Sequence, residues 1–258
     1  RVPEHGSVSF EDTVRGKVTF DLKEIDDFVI LKSDEMPTYH LAHVLDDHSM
    51  GVTHVIRGDE WISSTPRHLL IHKALEIEPP QYVHVPLILG KDKAKLSKRH
   101  GATSALEYRD QGFLPDAVFN FMSLLGWSPG DDTEVMSRDE IIERFTIERI
   151  NDSPATFDSE KLEWMNGVYI RDMDTERLMD LLIPFMECAE SEGGMPDSVK
   201  RPIDRNYLRE LIPLVHERLK LLTEGTEMLD FFFSDKVEPA AKDPACGQGR
   251  VTQPQSGR

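Results

Sequence analysis

The sequence predicts an α/β region followed by an all-α region, and three observations carry that reading. Up to about residue 90, short β-type stretches alternate with helix-type stretches. Beyond residue 104 the apolar residues recur at spacings of three and four, the rhythm of amphipathic helices. Of the 258 residues, 39% are apolar and 30% charged, so a core can be buried despite a net charge of −17.

Taken in order, Val8-Ser9-Phe10, Lys17-Val18-Thr19-Phe20 and the apolar run Phe28-Val29-Ile30-Leu31 read as strands, with Gly6 and Gly16 at turns. From Pro37 the rhythm changes: Leu41, Val44, Leu45 and His48 fall at helical spacing, and Gly51 is placed to end the helix. Thr53 to Arg57 is the next strand. Thr65 can cap a second helix, Pro66 suits its first turn, and Leu69, Leu70, Lys73 and Ala74 supply a face. Tyr82 to Leu89 reads as one apolar strand ending at Gly90. Strand, helix, strand, helix, strand implies a parallel sheet with crossover helices. In the helical region, Leu114 to Leu125 stops at Gly126, and Ser137 with Glu140 forms a capping box before Ile141, Ile142 and Phe145. Asp158 to Met165 is a short helix with Asn166-Gly167 as its stop, and longer helices span Thr175 to Glu190 and Asp204 to Leu222. From Pro239 the chain is rich in Pro, Gly and Gln, and it is expected to be unfolded.

Composition excludes several classes. The runs Phe28 to Leu31 and Val83 to Leu89 fall far short of a bilayer span, and Arg1 opens no signal-peptide pattern, which disfavours membrane insertion and secretion. Cys188 and Cys246 form no C-x-x-C or Cys/His cluster, which fits a reducing compartment and argues against structural zinc. Acidity argues against indiscriminate nucleic-acid binding, yet it is uneven. Residues 51 to 100 carry 8 bases against 5 acids, concentrated in Lys91, Lys93, Lys95, Lys98 and Arg99. Such a focus attracts a polyanion at one place; the plain alternative is a solvated loop.

Chemistry concentrates where that loop leaves a strand, because ligands of parallel sheets sit beyond the carboxyl ends of the strands. In Leu87 to Gly101, Lys95 and Lys98 stand three apart with Ser97 between them, so a compact turn directs two ammonium groups at one polyphosphate. No Walker-type phosphate loop occurs.

Lys95-Leu96-Ser97-Lys98-Arg99 resembles the K-M-S-K-S signature of class I aminoacyl-tRNA synthetases, in the K-[LI]-S-K-R form of glutamyl-tRNA synthetases. Its context resembles that family in order: Pro37 to Ala42, Val44 to His48, Val55 to Trp61, Ser64-Thr65-Pro66, His84 to Leu87, Gly112 to Pro115 and Leu162 to Gly167, across roughly residues 1 to 235. The resemblance implies activation of glutamate by ATP to glutamyl-adenylate and transfer to the 3′ end of tRNA-Glu, with tRNA-Gln left open as a second acceptor. ATP as its Mg2+ complex is then a substrate, no protein-bound zinc is implied, and the parent is expected to be a cytoplasmic monomer. By the family's pattern, Lys95, Ser97 and Lys98 are the catalytic group, within the ATP loop Lys95, Leu96, Ser97, Lys98 and Arg99. Glu60 and Ile88 line the adenosine side, Tyr39, His43 and Arg57 the glutamate pocket, and Arg218 contacts tRNA.

Simpler readings stand beside these. Tyr39 and Trp61 also fit as core aromatics, Arg57 as a structural ion pair, Arg218 as an exposed charge, and Ser64 and Thr65 as caps. Asp46-Asp47-His48 is read as helix-terminal packing rather than a metal or acid/base group.

The resemblance implies a partial class I Rossmann-like nucleotide-binding domain followed by stem-contact and helical anticodon-binding regions. Residues 1–35 are the expected remnant of an acceptor-binding insertion, 36–104 the second catalytic half, 105–170 the stem-contact region, 171–242 a partial anticodon-binding domain and 243–258 a disordered tail. The family's H-x-G-H signature is absent and the chain opens on Arg1, so an internal fragment that does not aminoacylate alone is expected, with an unpaired sheet edge. The helical region weighs against the glutamyl-queuosine tRNA-Asp synthetases, which resemble only the catalytic half. The alternative function is a non-catalytic tRNA-binding remnant or adaptor.

Overall fold

A computed structural model describes residues 1–96 and 104–234. The first two alternating stretches form an antiparallel hairpin of β1 (Ser7–Asp12) and β2 (Gly16–Asp21), with Val8 opposite Phe20 and Phe10 opposite Val18. The Asp12 carboxylate accepts from the amides of Val14 and Arg15, and Gly16 takes the positive φ of 69° that turns the chain back. Helix α1 (Tyr39–Met50) ends in the left-handed Gly51, whose N–H returns to the carbonyls of Asp47 and His48. Strand β3 (His54–Gly58), helix α2 (Thr65–Leu75) and strand β4 (Gln81–Val85) form a parallel crossover unit. The sheet order is β2-β1-β4-β3, so β1 flanks β4, paired in parallel at Asp12 and Tyr82.

Two expected strands differ. Phe28 to Leu31 is not a strand: Val29 and Leu31 are exposed, and among the described residues its ladder pairing is a single bridge from Leu31 to Pro37. Thr38 instead ties this stretch to the start of α1, donating from its amide to Ile30 and from its hydroxyl to Val29. The Tyr82 to Leu89 run is divided at Pro86, which lacks the N–H a central ladder needs. β4 ends at Val85, and β5 (Ile88–Leu89) pairs in parallel with β6 (Ala155–Thr156) in a second, two-stranded sheet.

Around that second sheet pack α3 (Ala105–Asp110), α4 (Pro115–Gly126), α5 (Arg138–Arg144) and α6 (Ser159–Arg171). Ser104 and Glu107 form a reciprocal capping box for α3, and Ser137 accepts from the Glu140 amide at α5. Tyr108, Phe113, Phe121, Leu125, Phe157, Leu162 and Met165 make the core. The expected stop at Asn166-Gly167 is overturned: both residues are buried inside α6. Asn166 accepts from the Leu114 amide at 2.8 Å and donates to the Lys220 carbonyl. A Cβ on Gly167 would stand 3.3 Å from the Leu219 carbonyl oxygen, so the pair serves a close approach rather than a turn.

The chain divides into two compact units, Arg1–Asp174 with His216–Leu222, and Thr175–Val215 with the segment from Thr223. The second contains α7 (Thr175–Glu187), α8 (Arg205–Val215) and α9 (Glu224–Phe233), closed around the buried Leu178, Leu182, Met186, Leu208, Ile212 and Leu229. The expected helix from Asp204 to Leu222 stops at Val215, two residues after Pro213, and His216–Arg218 is a separate 3₁₀ turn. Among the described residues no helix is long and apolar enough to cross a membrane.

Because Asn166 serves one donor and one acceptor in the core, Asn166→Asp keeps the bond from Leu114 and sets a buried carboxylate oxygen against the Lys220 carbonyl oxygen. The expected loss is about 1–3 kcal/mol in urea unfolding; an unchanged midpoint would show that the amide contributes nothing.

Candidate functional site

Strand alternation and register build the site. Val55 and Arg57 share one face of β3, and parallel pairing sets them beside Tyr82 and His84 of β4. Val55 and Tyr82 are buried in the core, so Arg57 emerges from it half-buried, at the carboxyl end of its strand. Its Nε donates to His84 Nε2 at 3.0 Å, Nη1 to His68 Nδ1 at 3.4 Å and Nη2 to Thr65 Oγ1 at 2.8 Å. The guanidinium carbon lies 5.4 Å from the Tyr82 ring centroid and 6.0 Å from that of Trp61.

Helices α1 and α2 supply the aromatic wall. Tyr39 and His43, four apart on α1, stack with centroids 5.4 Å apart, and Tyr39 meets Trp61 at 5.2 Å. His68, fully buried on α2, lies 4.7 Å from the His43 ring, and its Nε2 is 3.0 Å from His40 Nδ1. His43 also reaches Asp47 one turn on, at 3.3 Å. Below His84, Asp12 receives the His84 amide and the ring Nδ1, the latter at 2.5 Å.

Burial is the largest influence holding His40, His43, His68, His72 and His84 below the usual imidazole range, and it takes His68 down to about 3. Burial thus favours the neutral form of each of these rings. Burial would raise the Asp12 carboxyl, but hydrogen bonds from Arg15, His84 and Val14 outweigh it and the net direction is down. Burial also lowers Arg57, yet a guanidinium stays charged at any pH the fold experiences. Among the described residues no carboxylate contacts Arg57, so an oriented cation stands among neutral rings and hydroxyls. Such an arrangement suits a small carboxylate ligand.

The structure thus brings Tyr39, His43 and Arg57 together, and the ion-pair reading of Arg57 has no partner among the described residues. Thr65 is not a cap: its hydroxyl accepts from Arg57 and donates to the Trp61 carbonyl, and no side-chain cap bond starts α2. Glu60 is exposed and accepts from Lys95 Nζ at 2.9 Å, which holds its carboxyl below the usual range. Ile88 and Leu96 pack against the helical core and are joined by the Leu96 amide donating to Ile88 at 2.9 Å. They form the root of the basic loop. Lys91 is paired to Glu160 at 2.7 Å, so the loop's charge is opposed by acids distant in sequence as well as by Asp92. Ser97, Lys98 and Arg99 lie outside the described residues. Arg218 is exposed on its 3₁₀ turn, in the first compact unit, beside His216, whose Nε2 meets the Ile170 carbonyl. Among the described residues no group of three or more His, Cys, Asp or Glu is placed to hold a metal ion.

Sequence reasoning missed Asp12, His68 and His84. One signal existed for His84: a polar residue at an inward position of an otherwise apolar strand, in register with Arg57.

Acid lability follows from the buried imidazoles. Unfolded His68 titrates near 6.5, so below that pH the unfolded chain binds a proton that the folded chain refuses until about 3. Its stabilisation is complete above about pH 6.5 and is lost as pH falls, by on the order of 2 kcal/mol between pH 7 and 5. Urea midpoints across that range are expected to fall less steeply in His68→Gln than in the wild type; parallel profiles would contradict the assignment.

Comparison with known proteins places this geometry. Residues 1–164 match the family described as tRNA synthetases class I (E and Q), catalytic domain, and residues 177–249 match an anticodon binding domain. A glutamate–tRNA ligase of Dehalococcoides mccartyi is 48% identical over 95% of this chain and 49% of its own length. One from Roseiflexus castenholzii is 48% identical over 92% and 47%. A crystal structure of a glutamate tRNA ligase from Elizabethkingia meningosepticum, in complex with its amino acid, superposes with a TM-score of 0.82 at 32% identity, covering 95% of this chain and 50% of that one. The chain spans about half the length of the curated relatives it matches. It belongs to the class I tRNA synthetases of the E and Q group, joining a catalytic-domain segment to an anticodon-binding domain.

Proposed function

We propose that this chain is the part of a glutamate–tRNA ligase that holds the amino acid and one side of ATP. The observation that carries this reading is Arg57, an oriented cation that no carboxylate contacts among the described residues, beside the ring cluster of Tyr39, His43 and Trp61. A carboxylate of glutamate would take the guanidinium N–H groups left free by the protein, with the Tyr39 hydroxyl beside it. Relatives at 48% identity named glutamate–tRNA ligase support that choice of amino acid.

Activation joins the glutamate α-carboxylate to the α-phosphorus of ATP and expels pyrophosphate. ATP, as its Mg2+ complex, is the second substrate. Lys95 stands at the loop root in an exposed ion pair with Glu60, an interaction weak enough in water to yield to a triphosphate. Ser97, Lys98 and Arg99 follow directly in sequence, and their proposed role is to neutralise charge on the departing pyrophosphate. Ile88 and Glu60 would border the adenosine, and exposed Arg218 would contact tRNA. Transfer then moves the glutamyl group to the terminal ribose of tRNA-Glu; charging of tRNA-Gln is the open alternative. A monomer in a reducing cytoplasm is the proposed setting.

Two substitutions separate the substrates in ATP–pyrophosphate exchange by the full-length protein carrying this chain, with tRNA present. Arg57→Ala is expected to raise the glutamate KM by about 100-fold or more through loss of a charge-assisted carboxylate contact. Lys98→Ala is expected to cut kcat by about 100-fold through loss of transition-state charge stabilisation. Wild-type glutamate dependence in the first variant would remove the pocket, and a wild-type rate in the second would remove the loop's phosphate role. Binding of tRNA with no exchange in the wild type would instead favour the adaptor reading.

A further inference from the structure

Asp12 and His84 sit beneath Arg57 and are 72 positions apart in sequence, yet they meet with both side chains fully buried. Arg57 Nε has only a proton to offer, so His84 Nε2 must accept, and the neutral ring must carry its hydrogen on Nδ1. That hydrogen points at Asp12 Oδ2. Asp12 in turn is fixed by backbone donors: Val14 and Arg15 amides on Oδ1, and the His84 amide shared between both oxygens. We propose that Asp12 and His84 are positioning residues for glutamate recognition, a pair that holds one imidazole tautomer and thereby sets the plane of Arg57. This rests on the reading of Arg57 as the carboxylate-binding group.

The arrangement does something a direct ion pair would not. A carboxylate in contact with Arg57 would orient it equally well, but would compete with an incoming substrate carboxylate. With the imidazole interposed, the anion orients the guanidinium from one ring away. Thr65 and His68 complete the constraint on Nη2 and Nη1. His68 must also accept on Nδ1, so its Nε2 hydrogen faces His40. A planar group held through all three nitrogens is preorganised, and preorganisation favours binding of its ligand.

The chemistry of Asp12→Asn makes the proposal testable. Its amide nitrogen cannot occupy the Oδ1 place, where two backbone N–H groups converge. In the Oδ2 place it donates to His84 Nδ1, which drives the ring hydrogen to Nε2 and sets it against Arg57 Nε. His84→Asn keeps a donor for Asp12 and loses reach to Arg57, whereas His84→Gln can still present an oxygen to Nε.

In ATP–pyrophosphate exchange by the full-length protein carrying this chain, with tRNA, Asp12→Asn and His84→Asn are expected to raise the glutamate KM about tenfold, the loss of roughly one hydrogen bond, with kcat changed less than about threefold. His84→Gln is expected to fall nearer the wild type than His84→Asn. If Arg57→Lys raises the glutamate KM while all three of these variants keep the wild-type value, the positioning role is overturned and the pocket stands. If Arg57→Lys leaves that KM unchanged, the pocket itself fails and the proposal with it. Long-range proton–nitrogen NMR of the unsubstituted protein needs no folding assumption about variants: His84 in the Nδ1–H form supports the proposal, and the Nε2–H or doubly protonated form overturns it.

Discussion

An arginine cation half-withdrawn from water, with no carboxylate in contact among the described residues, is the constraint around which the candidate site is arranged. Desolvation of Arg57 is costly. Three neutral acceptors and two aromatic faces offset part of that cost, and the buried Asp12 carboxylate adds a longer-range attraction through His84. Most buried arginines settle against a carboxylate directly. Here, among the described residues, the contact positions are filled by neutral groups, which leaves the charge open to an anion. Burial, with the Arg57 charge adding to it at His40, His43, His68 and His84, disfavours the protonated form of the neighbouring imidazoles.

What positions this charge is shared by long-range and local structure in different proportions. Locally, Gly51 stops α1 and delivers the chain to β3, and the i, i+4 spacing stacks Tyr39 on His43. These features were legible because each depends on residues within a turn or two of one another. The class of fold could be read for that reason, and the family resemblance pointed to Tyr39, His43 and Arg57, which the structure brings close together. Asp12 could not be reached that way. It meets His84 only because the hairpin strand β1 docks beside β4, a pairing that no local periodicity specifies.

The misread segments share a physical cause. Phe28 to Leu31 has strand composition, but a strand exists only where a neighbour accepts its ladder, and this stretch has a single bridge. Asn166-Gly167 is a common helix stop in isolation. In α6 the glycine admits another segment's backbone and the asparagine satisfies it, so tertiary contact overrides local preference. Tyr82 to Leu89 reads as one apolar strand, but Pro86 follows the end of β4 at Val85, and no local periodicity shows that Ile88 and Leu89 join a different sheet. That switch has a functional consequence: it anchors Ile88 and Leu96, the base of the basic loop, on the helical core rather than on the sheet that carries Arg57. The first unit therefore holds the proposed amino-acid contact and the proposed phosphate loop on separately packed supports, joined by the Glu60–Lys95 ion pair.

Under the proposed function, Arg57 receives a carboxylate of glutamate, and a crystal structure of the full-length protein carrying this chain, grown with L-glutamate, shows whether it does. A glutamate carboxylate within hydrogen-bond distance of the Arg57 guanidinium, with the Asp12–His84–Arg57 contacts intact, is the predicted result. Glutamate bound with both carboxylates away from Arg57, or Arg57 turned onto a protein carboxylate in the complex, would contradict it.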